Sequence, residues 1–315
     1  MTKTCLFMSI ALIAGDTEAA AVAGRDADAA VEAPQWRVRT VRDRKPEHVC
    51  IDNGVIYVSL NRGQAWTIAQ VTYKRDELVG QYGANGTVSA CAKGLWGGDK
   101  SGWVGTGHGG EIIESFHLIV DGKMHEYSSG VSLAGREVTT RKVSKLGPFR
   151  HTAEITFPAS GDCLVEKHSY AVIEDAAGFK SMYAFMHCMN KTIKDWSAVL
   201  AEGGSKEGRA ADGLGKFVLQ EEFKSLACWG DANRKGVVYI YPEIYAGGDS
   251  FKNSIWDRKR DTKLYLRPQI PSLEIGSHFS FSVKLVPFEA GPEDWRERGR
   301  ELANEHDFEL RDSKP

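Results

Sequence analysis

The chain has 315 residues, with 40 Lys+Arg against 42 Asp+Glu and a formal charge of −2. The charges are interspersed, without the basic stripe that nucleic-acid binding usually needs. Aromatic residues make up 10% of the chain, eight of them Trp, which suits a well-packed core and platforms on which sugar rings stack.

Residues 1–23 read as a secretory signal. Lys3 gives a positive start, Cys5–Ala14 is an apolar run too short to span a bilayer, and Ala21-Val22-Ala23 is a small-residue cleavage pattern before Gly24. A retained N-terminal anchor is the competing reading. After signal removal no membrane contact is expected, and the mature protein is expected to be secreted, extracellular or periplasmic. Residues 24–48 lack periodicity and read as a flexible leader, with order beginning near Val49. The rest, 49–315, reads as one carbohydrate-active domain.

Val55–Leu60 and Trp66–Tyr73 have strand character and flank a turn at Asn61–Gln64. Gly80–Gly110 is dense in glycine and reads as a long irregular loop or several short edge strands. Within it, His108 lies among small residues, accessible to a ligand; a solvated loop histidine is the plainer meaning. Strand candidates follow at Glu111–Val120, Thr152–Phe157, Cys163–Glu174, Lys180–His187, Lys216–Glu222, Val237–Tyr241, Lys263–Leu266 and His278–Val286. Asp121-Gly122 predicts a tight hairpin turn. Ala201–Gly215 is a polar loop, and Pro292–His306 is the one convincing helix, with Trp295, Leu302 and Ala303 as its buried stripe. Many strands, abundant glycine and a terminal helix predict an all-β protein, a large antiparallel β-sandwich.

The most informative stretch is Cys163–Cys188. It predicts a β-hairpin turning at Asp175–Gly178, with Glu174 opposite Phe179. That register places Tyr170 opposite Tyr183, His168 opposite Phe185 and Glu166 opposite His187, all on one face. Such a face suits a sugar cleft, since rings stack on sugars while His, Tyr and Glu hydrogen-bond or move protons. An ordinary amphipathic hairpin is the alternative. Of the five cysteines beyond the signal, Cys163 and Cys188 end this hairpin, where a diagonal disulfide is geometrically feasible. No CxxC spacing indicates a cysteine-built zinc site.

Other constellations are looser. Tyr239, Tyr241, Glu243 and Tyr245 alternate along one run and offer an aromatic-acidic face or an exposed edge strand. The run Ser254–Pro268 carries Trp256, Asp257, Arg258, Arg260 and Tyr265, and is either a substrate-gripping loop or a solvated charged turn. Arg150, Lys167, Lys180, Arg258 and Arg267 are available to neutralise a carboxylate. His117 and His151 lie in strand-like runs. No GxSxG elbow supports a serine hydrolase.

Three segments together resemble the galactose-mutarotase-like β-supersandwich: the opening "IDNGVIYVSLN…WTIAQVTYKRDELVG", the middle "EKHSYAVIEDAAGFKSMYAFMH" and the closing "FSFSVKLVPFEAGPEDWRERGRELA". The middle segment is similar to a hairpin of rhamnogalacturonan lyases. The resemblance implies a secreted polysaccharide lyase that cleaves a uronate-containing polymer by β-elimination. His168, Tyr170, Tyr183 and His187 are then the catalytic candidates. Glu166, Phe185, His108, Trp103, Tyr241, Trp256 and Arg258 are the substrate-binding candidates. The expected partner is a carbohydrate polymer or oligosaccharide. No cofactor is expected, although the many carboxylates leave a divalent cation such as calcium open. The alternatives are a non-catalytic carbohydrate-binding module, a mutarotase-like sugar epimerase using a His acid and a carboxylate base (Glu166 or Glu243), and a structural or adhesive domain.

Overall fold

A computed structural model describes residues 35–41, 47–80, 85–210, 213–241, 251–258, 261–270 and 272–306. The signal reading, Glu243, Tyr245 and Arg260 fall outside them. Among the described residues, no helix is long and apolar enough to cross a membrane.

Alternating apolar positions build two ten-stranded sheets. The first runs, edge to edge, through Ser132–Gly135, Trp36–Val41, His48–Asp52, Ile56–Asn61, Thr67–Tyr73, Asp76–Val79, Phe185–Met189, Thr262–Pro268, Phe251–Asp257 and Lys216–Glu221. The second runs through Ser205–Arg209, Asp195–Leu200, Phe223–Gly230, Lys235–Ile240, His278–Glu289, Leu164–Val172, Phe149–Phe157, Val138–Leu146, Glu111–Val120 and Lys123–Glu126. Along each face that meets the other sheet every second residue is buried, most of them Val, Ile, Leu and Phe, and one continuous core fills the space between. The protein is thus the expected all-β antiparallel sandwich. The Asp121-Gly122 hairpin is present, pairing Val120 with Lys123.

Order starts earlier than expected. Trp36–Val41 is a strand inside the segment read as leader. Trp36 is fully buried, packs edge-on against Phe157 of the opposite sheet at 5.1 Å, and donates its indole N–H to Pro158 O at 2.8 Å. The glycine-dense stretch forms Val88–Cys91 and Trp103–Gly105, which join Phe179–Tyr183 in a small third sheet.

The predicted hairpin is not formed. Leu164–Val172 belongs to the second sheet, flanked by Phe149–Phe157 and His278–Glu289. Its supposed partner splits at Ala184: Phe179–Tyr183 pairs with Val88–Cys91, and Phe185–Met189 pairs with Thr262–Pro268 in the first sheet. The two halves face each other across the core instead of pairing edge to edge. Cys163 and Cys188 consequently remain separate buried thiols, as do Cys50, Cys91 and Cys228.

The helix, Trp295–Glu305, lies on the outer face of the second sheet, where Trp295 and Leu302 pack with Trp229, Val238 and Phe288. Trp229 and Trp295 stack at 5.6 Å. Gly299 sets the approach, because a Cβ there would sit 2.6 Å from the Ala227 Cβ. Gly299→Ala should therefore destabilise the fold by about 1–3 kcal/mol, although alanine favours a helix by nearly 1 kcal/mol. Ala227→Gly in the same chain should restore much of the loss, read from denaturant midpoints of the single and double variants.

Candidate functional site

Two polar constellations stand out, one inside the sandwich and one outside it. The inner one gathers most of the residues expected to be catalytic. Strand alternation turns Glu166, His168 and Tyr170 inward from the second sheet and Phe185 and His187 inward from the first. His187 Nε2 lies 3.0 Å from Glu166 Oε1, His168 Nε2 lies 3.4 Å from Glu166 Oε2, and His168 Nδ1 lies 3.1 Å from His151 Nε2. His187 Nδ1 reaches the Tyr239 hydroxyl at 3.1 Å. Beyond His151, Glu111 accepts from Lys142 Nζ at 2.7 Å and from Ser144 Oγ at 2.8 Å.

This chain of contacts crosses a closed core. Glu166, His168, Tyr170 and His187 are each 3% exposed or less, and Phe185 is fully buried. Tyr170 is held by Thr87 Oγ1 at 2.8 Å and donates to Ala184 O at 3.0 Å. Rings seal the rest: His151 stacks on Tyr170 at 4.5 Å and His168 on Phe281 at 4.9 Å. These residues therefore do not line a groove. Tyr241 is also buried, with its ring edge-on to Phe223 at 5.5 Å, and the neighbouring Lys235–Ile240 is a central strand, not an exposed edge.

The outer constellation occupies the opposite face of the first sheet. Register places Met186 against Tyr265, Cys188 against Lys263, and Lys263 against Trp256, with Trp256 against Phe217. Since Leu264 and Leu266 point into the core, Lys263, Tyr265 and Arg267 share the outer face. Tyr265 is the hub: its ring lies 4.4 Å from Tyr183, 6.0 Å from Trp256 and 6.0 Å from Phe217. Tyr183 stacks on Trp103 at 5.7 Å, and Trp103 lies 6.0 Å from His108. Trp103, Tyr183, Trp256 and Phe217 are half-buried, so their rings are partly open to solvent. The Trp256 indole N–H is buried without an acceptor among the described residues, a donor that awaits one.

Charge surrounds the rings. Lys263 Nζ lies 5.3 Å from the Tyr265 ring centre, and burial lowers its pKa. Arg258 Nε pairs with buried Asp261 at 3.2 Å. Burial pushes the Cys188 thiol up to about 12, which keeps it protonated and unreactive. Between Phe179–Tyr183 and the end of Thr262–Pro268 lies a cleft of about 490 Å³ lined by Phe179, Lys180, Ser181, Arg267, Gln269 and Ile270, among others. Lys180 and Arg267, both considered for carboxylate neutralisation, thus meet in one cleft.

At the far end His108 is held by Asp99, Nδ1 to Oδ2 at 2.6 Å. Asp99 is itself fixed by the Ser101 hydroxyl at 2.5 Å and by the backbone N–H groups of Ser101 and Trp103. Ser101 and His108 hold its carboxyl well below the ordinary carboxylate range. Gly107 and Gly109, with φ of 76° and 82°, supply the left-handed backbone for the tight loop carrying His108. An imidazole oriented through Nδ1 by a carboxylate presents Nε2 as a proton acceptor.

Of the expected site residues, the structure brings Trp103, His108, Tyr183, Trp256 and Arg258 to this face. Sequence reasoning passed over Lys263 and Asp261 as site residues, treated Tyr265 as part of a loop, and missed Phe217 and Asp99. The alternation Lys263–Tyr265–Arg267 was the available signal.

No known protein-family profile matches the chain, and no curated protein matches it. Among solved structures, it is similar to a galactose mutarotase-like protein from Lactobacillus casei at 11% identity, covering 76% of this chain and all of that one, with a TM-score of 0.41. It is similar to the Slr1438 protein of Synechocystis sp. at 10% identity, covering 77% and 95%, with a TM-score of 0.44. It is also similar to the GH36 α-galactosidase AgaB of Geobacillus stearothermophilus at 11% identity, covering 81% of this chain and 41% of that one, with a TM-score of 0.42.

The inner network makes stability depend on pH. For both Glu111 and Glu166 burial opposes the charge, but Lys142 and His151 hold Glu111 at about 2, and His187 and His168 hold Glu166 at about 2, against an ordinary 4.5. Burial, reinforced by Lys142, lowers His151 from 6.5 to about 3. The unfolded chain therefore binds more protons than the folded one between those values. The His151 contribution is complete above about pH 6.5 and declines toward pH 3; the two carboxylates lose theirs from about pH 4.5 down to 2. Calorimetry should show the thermal midpoint falling steadily from neutral pH to about pH 3, and a flat midpoint would contradict the network. Glu166→Ala should cost about 3–5 kcal/mol at neutral pH, because it strips His187 of its buried partner.

Proposed function

We propose that the protein binds carbohydrate on the outer face of the first sheet and that the preferred sugar is anionic. The observation that carries this is the set of partly open rings, Trp103, Tyr183, Trp256 and Phe217, packed around the buried Tyr265. Flat aromatic surfaces stack on the apolar faces of sugars. Arg258, Lys180 and Arg267 give the surface its preference for a carboxylate.

A catalytic reading is favoured by the Asp99–His108 pair. In β-elimination on a uronate, a cation neutralises the carboxylate and His108 Nε2 takes the C5 proton. The electron pair forms the C4–C5 double bond as the C4–O bond breaks. Tyr183, the one expected catalytic residue that the fold leaves on this face, would protonate the departing oxygen. Proposed as such, the protein is a polysaccharide lyase; without turnover, it is a binding module. For the carboxylate-base route of a ring-opening isomerase, Glu166 is locked in the core, and the other candidate base, Glu243, lies outside the described residues.

Trp256→Ala and Tyr183→Ala should each weaken binding of a uronate oligosaccharide about tenfold in calorimetry, the equivalent of roughly 1.4 kcal/mol. Binding should also fade as salt is raised, and a neutral oligosaccharide of equal length should bind more weakly. Equal affinity of wild type and both variants would sink the assignment. On a panel of uronate polymers, absorbance of the unsaturated product should rise with the wild type and stay flat with His108→Ala, whose sugar affinity should be kept. Binding without any rise would leave the module and remove the lyase.

A further inference from the structure

We propose that Asp162, Cys163 and His306 form a binding site for a thiophilic divalent metal ion, best suited to Zn²⁺, on the side of the molecule where the helix ends. A carboxylate oxygen, a thiol sulfur and an imidazole nitrogen from these residues all lie within 4.8 Å of one another. Zinc holds such donors at about 2.0–2.3 Å, so tetrahedral geometry sets neighbouring ligand atoms about 3.5 Å apart. His306 Nε2 and Asp162 Oδ2 are already 3.6 Å apart. The remaining closure is on the order of an ångström, within reach of side-chain rotation.

The surroundings hold these donors in place. The His306 backbone N–H caps the helix by donating to Leu302 O at 3.0 Å, and Lys284 Nζ donates to His306 O at 2.6 Å. Ser160 Oγ donates to Asp162 Oδ1 at 2.5 Å, which orients the carboxylate and leaves Oδ2 toward the histidine. Cys163 is buried at the start of the Leu164–Val172 strand, whereas Asp162 is open to solvent. Asp162 and His306 border a cleft of about 340 Å³, through which water can supply a fourth ligand.

The donor set selects the metal. One sulfur, one imidazole and one carboxylate suit zinc or cobalt(II) and not the all-oxygen shells of calcium or magnesium. Binding breaks the Cys163 S–H bond, forms the metal–sulfur bond and releases the proton to solvent. The ion would tie the end of the helix to the start of the strand that carries Glu166, a clamp separate from the sugar-facing surface.

Titration of the purified protein with Co²⁺ tests this. The expected result is a thiolate-to-cobalt charge-transfer band in the near ultraviolet, with the intense visible bands of four-coordinate cobalt, displaced by Zn²⁺. His306→Ala and Asp162→Ala alter partly exposed residues and should keep the far-ultraviolet dichroism of the wild type. Each should weaken the metal at least tenfold, and Cys163→Ser should abolish the charge-transfer band. Zn²⁺ should raise the wild-type thermal midpoint, reversibly with a chelator, and leave the His306→Ala midpoint unchanged. No charge-transfer band at millimolar Co²⁺, or a band of equal strength in folded His306→Ala, would overturn the site. If Cys163→Ser does not fold, the two surface variants decide.

Discussion

The strict alternation of side chains along Thr262–Pro268 is the constraint on which both polar constellations depend. Leu264 and Leu266 must enter the core, so Lys263, Tyr265 and Arg267 must leave it. Phe185–Met189 beside it obeys the same rule, sending Phe185 and His187 inward and Met186 and Cys188 outward. A slip of one residue would bury Lys263 and Arg267 in the apolar core and expose two leucines. This pair of strands thus contributes Phe185 and His187 to the interior and Lys263, Tyr265 and Met186 to the outer aromatic face, and one register fixes both.

The buried network is costly to assemble, since each ion entering the core loses its hydration. Glu166 meets that cost with two histidines, and Glu111 with Lys142, Ser144 and His151. Purely apolar packing tolerates sliding, whereas Glu166 meets His187 of the other sheet in one alignment only. The network therefore favours a single register between the sheets, the use for which buried polar groups are best attested.

The outer face shows the opposite balance. Its rings are packed well enough by Met186 and Val88 to be rigid, yet Trp103, Tyr183, Trp256 and Phe217 keep open surface. Rigid aromatic platforms lose little conformational freedom on binding, which is why they serve sugars well. His108 stands at one end on a glycine loop, pinned by Asp99, so the group suited to proton transfer is held by hydrogen bonds and not by core packing.

The sequence by itself determined the class of fold. Period-two patterning, turn residues such as Asp121-Gly122 and the lone amphipathic segment near Trp295 are local signals, and local signals survive in a linear chain. The expected neighbourhood of Glu166 and His187 is present, but across the core and not in the hairpin from which it was read. Only the tertiary structure decided how they meet. Hairpin pairing and face-to-face stacking require the same alternation, and nothing local distinguishes a partner in the same sheet from one across the core. That choice turned an expected groove into a sealed interior and left the open aromatic rings on the outer side of the first sheet. For the same reason the Asp162–Cys163–His306 cluster was invisible in the spacing of residues, because its parts are brought together only when the helix docks on the second sheet.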